Sequence, residues 1–119
     1  MKILLVDDEL SHSLLLKEII ERNGHQAIIA ENGMRALELL KENTDIGLIL
    51  ADEVMPFMTG TELKTKIEKE YPSSPPVYIL TGKTSNENWN SRVLYKPVSK
   101  DDLLVIISIT EEDQATGSD

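Results

Sequence analysis

Five short apolar runs constrain this chain more than any other feature: Lys2 to Val6, Gln26 to Ala30, Ile46 to Asp52, Val77 to Thr81 and Arg92 to Tyr95. They are too short to be lone helices, and they lack the polar alternation of a half-solvated sheet. They therefore predict strands buried on both faces. Between them lie stretches with helical spacing. Ser11 offers a cap for a first helix in which Leu14, Leu15, Leu16, Ile19 and Ile20 cluster on one side, and Asn23-Gly24 supplies the left-handed stop. Glu31-Asn32-Gly33 turns into a second, with Ala36, Leu37, Leu40 and, more marginally, Leu39 toward the sheet, ending near Asn43. Gly60 to Glu70 reads as a third, with Leu63 and Ile67 inward, closed by Tyr71-Pro72 and the Pro-rich stretch that follows. Ser99 with Asp102 caps a last helix through Leu103, Leu104, Ile106 and Ile107. Strands alternating with helices imply right-handed crossovers, hence an α/β doubly wound parallel sheet whose site lies beyond the carboxyl ends of the strands.

That rule gathers the reactive residues. The first run ends in Asp7-Asp8-Glu9, the third delivers Asp52 to a loop broken by Met55-Pro56 and Gly60, the fourth ends at Thr81-Gly82, and the fifth at Lys96-Pro97. Each alone reads as an ordinary surface turn. Independent turns, however, have no reason to place acid, acid, hydroxyl and ammonium at successive strand ends. Carboxylates a few ångströms apart repel one another and call for a cation, and a hard divalent ion with oxygen ligands suits them. Magnesium fits best: Asp8 and Asp52 would ligate it directly or nearly so, Asp7 through water, and a loop carbonyl would complete the set. With the ion in place Asp52 can act as a nucleophile toward phosphorus, Lys96 supplies a second positive charge, and Thr81 can donate its hydroxyl to a phosphoryl oxygen.

Composition narrows the setting. The 119 residues suit one domain with a real core, and no run approaches a membrane span or a signal-peptide core, so a cytoplasmic protein is expected. The absence of cysteine excludes disulfides and thiolate metal sites. A formal net charge of -9 argues against direct nucleic-acid binding and points to proteins or cations as partners. His12 and His25 read as surface or helix-flank residues. The polar stretch from Lys83 to Ser91 reads as a loop or one irregular turn, with Trp89 as a plug over the sheet, and the segment from Glu111 to Asp119 as a frayed acidic tail or the start of a linker after a domain over 1–110.

Taken together, Val6-Asp7-Asp8-Glu9, Ala30-Glu31-Asn32-Gly33 with Ala36-Leu37, Asp52 with Met55-Pro56 and Gly60, Thr81, and Lys96-Pro97 resemble the receiver domain of two-component response regulators across essentially the whole chain. The resemblance implies a flavodoxin-like sheet in the order 2-1-3-4-5, with Asp52 accepting a phosphoryl group from the phosphohistidine of a sensor histidine kinase or phosphotransfer protein. It further implies Mg2+ held by Asp7, Asp8, Asp52 and the Val54 backbone carbonyl, Thr81 and Lys96 as the switch residues, and a cis Lys96-Pro97 bond. The domain would be a signalling part of a phosphorelay rather than an enzyme, acting on a downstream protein or a fused output domain, with no membrane partner.

Three positions depart from the family pattern. Val93 stands where a switching aromatic is usual, with Tyr95 beside the lysine instead, and Glu53 follows Asp52 where an aliphatic is usual. The interval from Thr81 to Lys96 is too short for a full fourth helix, so that helix is expected to be short or absent, as in an atypical subgroup with a Thr-Gly step. A receiver-shaped interaction module that signals without phosphorylation is the alternative function. An Asp-nucleophile phosphatase fits less well because Asp7-Asp8 and the late Asp52 do not form its Asp-x-Asp pattern. A nucleotide-binding flavodoxin relative would need hydroxyls and amides, not Asp7-Asp8-Glu9, facing phosphate.

Overall fold

The apolar runs are strands in the structure, a computed structural model that describes residues 1–82 and 92–116. In chain order the elements are β1 (Lys2–Val6), α1 (Leu10–Arg22), β2 (Gln26–Ala30), α2 (Gly33–Glu42), β3 (Ile46–Asp52), α3 (Gly60–Glu70), β4 (Val77–Thr81), β5 (Val93–Tyr95) and α4 (Lys100–Thr116). The strands form one parallel sheet in the order β2-β1-β3-β4-β5, as the resemblance implies. Residues 83–91, which carry the expected loop, the Trp89 plug and the short or absent helix, lie outside the described residues.

Side-chain alternation along the strands divides the interior into two cores. Leu48 and Leu50 of β3 join Leu16 and Ile20 of α1 and Leu103 and Ile107 of α4. Ile49 and Ala51 meet Ala36 and Leu39 of α2 and Leu63 and Ile67 of α3 on the other face. Each fully buried Leu or Ile contributes about 1.5–3 kcal/mol by leaving water. The doubly covered central strand β3, buried at six of its seven residues, is what carries Asp52 to the edge.

Four details differ from the sequence reading. α1 begins at Leu10 behind Glu9, which makes no side-chain cap bond, rather than being capped by Ser11. Leu14 and Leu15 are about half exposed, because three consecutive leucines spread over roughly 200° of a helix at 3.6 residues per turn and only Leu16 stays on the face shared with Ser13 and Ile20. In α2 the inward residues are Gly33, Ala36 and Leu39, with Leu37 and Leu40 at the margins. The segment expected to fray from Glu111 is helical to Thr116. Gln114 anchors it to the sheet by donating its side-chain N–H to the Gly47 carbonyl at 2.7 Å, while Thr110 is buried with its hydroxyl on the Ile106 carbonyl. No helix among the described residues is long and apolar enough to cross a membrane.

Ser13 is fully buried in α1, and its hydroxyl has no hydrogen-bond partner among the described residues. Ser13→Ala removes a desolvated donor and substitutes a better helix former, so it is expected to raise stability by about 1 kcal/mol. Urea unfolding checks this as a higher midpoint at unchanged slope.

Candidate functional site

Strand register puts the candidate residues on one edge. Val6 is level with Ala51 and Ala30, so Asp7 stands beside Asp52. Thr81 is level with Tyr95, so Lys96 follows immediately beyond it, its amide donating to the Thr81 carbonyl at 2.7 Å. One oxygen each from Asp7, Asp8 and Asp52 lies within 4.8 Å of the others. Asp7 and Asp52 are buried and Asp8 is exposed. Lys96 Nζ sits 2.8 Å from Asp52 Oδ1, in a pair whose lysine remains partly open to water. Thr81 is buried at the end of β4, one residue past the partner of Asp52 in the sheet. The Lys96–Pro97 peptide is cis.

Asp52 bears the cost of this crowding. Burial pushes its carboxyl above the ordinary value of 3.8, and the charge of Asp7 pushes the same way. The hydrogen bond and charge of Lys96, with the Val54 backbone N–H, oppose the rise without cancelling it. Three carboxylates facing one ammonium leave room for another cation, and an all-oxygen donor set suits a hard divalent ion such as Mg2+. The residues fit that ion, with Asp7, Asp8, Asp52 and the Val54 carbonyl as the ligand candidates.

The loop after Asp52 is shaped by close approach. A Cβ on Gly60 would fall 2.5 Å from the Asp52 carbonyl oxygen, a contact that only glycine escapes, and the Gly60 N–H donates to the Glu53 carbonyl at 3.1 Å. Glu53, whose direction the sequence left open, turns toward α3. Its Oε1 accepts from both the backbone N–H and the hydroxyl of Thr61 at 2.8 Å, so its charge sits at a helix N-terminus. Thr59 and Glu62 close a capping box on the same helix.

His12, expected at the surface or on a helix flank, has a partner in this site that residue spacing alone does not reveal. His12 lies in the first turn of α1, and its Nδ1 donates to Asp7 Oδ2 at 2.6 Å, while Asp7 Oδ1 accepts from the Glu9 N–H at 2.9 Å. The usable signal was its position. Helical side chains lean toward the N-terminus, so a first-turn residue covers the strand end just before it.

A buried strand-end aspartate, a lysine bonded to it and two neighbouring acids lie at the carboxyl edge of a doubly wound 2-1-3-4-5 sheet. Residues 3–108 match the response regulator receiver domain family, and the chain belongs to it. The chain is similar to the "Chemotaxis protein CheY homolog" of Campylobacter jejuni, 37% identical over 84 residues, covering 68% of this chain and 65% of that protein. It is also similar to the "Transcriptional regulatory protein CpxR" of Escherichia coli, 37% identical over 103 residues, covering 87% of this chain and 41% of that one. "Protein PilH" of Pseudomonas aeruginosa is 34% identical over 116 residues, covering 90% of this chain and 94% of its own length. The chain thus spans less than two thirds of the first two relatives. Among solved structures, a response regulator receiver domain protein from Clostridium thermocellum superposes with TM-score 0.86 at 28% identity, covering 96% of each chain.

Two predictions follow from the geometry. Because burial lifts the folded-state pKa of Asp52 above 3.8, the folded protein holds the extra proton; that stabilisation is present below the unfolded value and is lost as pH rises through the folded value. In magnesium-free buffer Asp52→Asn is therefore expected to be more stable than wild type at neutral pH, with the gap closing in acid. Denaturant titrations across pH measure it, and a gap independent of pH contradicts the assignment. Gly60→Ala is expected to cost about 1–3 kcal/mol through overpacking against the Asp52 backbone, read from the same titrations.

Proposed function

We propose that this receiver domain takes a phosphoryl group onto Asp52 from the phosphohistidine of a sensor histidine kinase or phosphotransfer protein, and that the modified domain switches a protein interaction. The observation that carries the reading is the buried Asp52 carboxylate, held by Lys96 at 2.8 Å on one oxygen and flanked by two further carboxylates.

Lys96 orients Asp52 and offsets its charge, leaving the second carboxylate oxygen to attack phosphorus. The new O–P bond forms as the N–P bond of the phosphohistidine breaks and its electron pair returns to the imidazole. Asp7, Asp8, Asp52 and the Val54 carbonyl would hold Mg2+, which when bound would neutralise phosphoryl oxygen charge. After transfer, Lys96 and the Thr81 hydroxyl are the donors at hand for the phosphoryl oxygens, bonds that exist only in the modified state and so bias a two-state equilibrium. The domain is a signalling part whose own chemistry is this self-modification. The downstream target is a protein or a fused output domain. The acidic charge, -9 overall, disfavours direct nucleic-acid contact by this domain.

Intact mass after incubation with a small phosphodonor and Mg2+ tests this. One added phosphoryl group is expected, lost with Asp52→Ala and with chelation. Lys96→Ala is expected to keep Mg2+ binding while uncoupling the conformational response. A folded, Mg2+-binding wild type that gains no mass from the small donor or from a phosphorylated kinase domain would instead favour a phosphorylation-independent interaction module. The half-buried Val93, in place of an aromatic, suits that module.

A further inference from the structure

We infer that His12 is a positioning residue for the cation site: its Nδ1–H fixes the Asp7 carboxylate in the orientation from which Asp7 supports a divalent ion. The inference rests on the cation reading above and concerns a residue outside the ligand set.

The chemistry is set by the two oxygens of Asp7. Oδ1 accepts from the Glu9 backbone N–H at 2.9 Å, a local bond that holds one end of the carboxylate. Oδ2 accepts from His12 Nδ1 at 2.6 Å. An ionised carboxylate only accepts, so the imidazole nitrogen facing it must carry the proton, and Nδ1 is the donor. With both oxygens engaged the carboxylate plane does not turn freely about its Cβ–Cγ bond, and the Asp7 oxygen that lies within 4.8 Å of those of Asp8 and Asp52 keeps its place. Asp8 is exposed and has no comparable clamp among the described residues.

The placement of His12 suits this role. Its side chain is mostly buried, at 17% exposed, and Asp7 is at 4%, so the bond is shielded from competing water. Without it Asp7 would still lie within reach of Asp52, whose carboxyl its charge already disturbs, and rotation of the Asp7 carboxylate away from that neighbour would relieve the repulsion. His12 therefore holds Asp7 against a torque that the site itself creates. Outer partners that orient a ligating group in this way commonly govern metal affinity by 10–100-fold.

Isothermal titration of the full chain with Mg2+ tests the inference, using three substitutions at one position. Asparagine places its amide nitrogen where Nδ1 stands and carries no charge; glutamine places it nearer Nε2; alanine has no donor. His12→Ala and His12→Gln are expected to weaken Mg2+ binding roughly tenfold, and His12→Asn to restore it to within about threefold of wild type. Thermal melts in chelator confirm that each variant is folded, and if alanine fails that control the Asn-against-Gln comparison decides alone. Affinity of His12→Ala equal to or tighter than wild type, or His12→Asn no better than His12→Gln, overturns the inference while leaving the cation site standing. Wild type that binds no Mg2+ overturns both, and only in that case is the parent protein itself blank.

Discussion

The structure is organised around an electrostatic debt at one end of β3. Asp52 arrives there because a strand covered on both faces has nowhere else to end, and Asp7 arrives beside it because β1 is its hydrogen-bonded neighbour in register. Two buried carboxylates so close are unfavourable in a low-dielectric edge unless opposite charge is supplied. Lys96 supplies it from β5, two strands away in the sheet, at 2.8 Å. The pair links the third and fifth strands at their carboxyl ends, with Asp7 of the first strand beside it, so the sheet order and the site are one constraint seen at two scales.

Nearby groups are arranged so as not to deepen that debt. Glu53, adjacent in sequence to Asp52, would add a third buried charge if it turned inward. Instead it accepts two hydrogen bonds from Thr61, where the positive end of the α3 dipole receives it. Gly60 lets the chain return close enough for that bond, since any Cβ there would meet the Asp52 carbonyl. The loop between them carries Phe57 at φ 72°, a left-handed backbone held by an exposed aromatic, which follows from how tightly the chain must turn between Pro56 and Gly60.

Much of this was legible in the residues. Asp7, Asp8, Asp52, Thr81 and Lys96 were placed at one edge by the strand-end rule alone, and the register brings them there. The boundaries of β2, β3, α3 and β4 match because Pro, Gly and Asn punctuate them. The misses have a common cause. Leu14 against Leu16, Leu39 against Leu40, and the helical continuation past Glu111 depend on which face a neighbour covers, and that is decided by partners distant in sequence such as Gly47 for Gln114. Composition reported a polar tail; tertiary hydrogen bonding made it the end of α4.

His12 is not legible for a different reason: it stands at no ligand spacing from the acids, and it meets Asp7 through the fold, five residues after it and in the first turn of the helix that leaves the strand. In this sheet that position leans back over the end of β1. The carboxyl edge of the sheet therefore receives side chains from two sources, the strand termini themselves and the first helical turns that follow them. The strand termini bring the acids and the lysine. The residue that precedes the helix and the helix's first turn bring the groups that hold Asp7 in place, Glu9 by its backbone N–H and His12 by its ring.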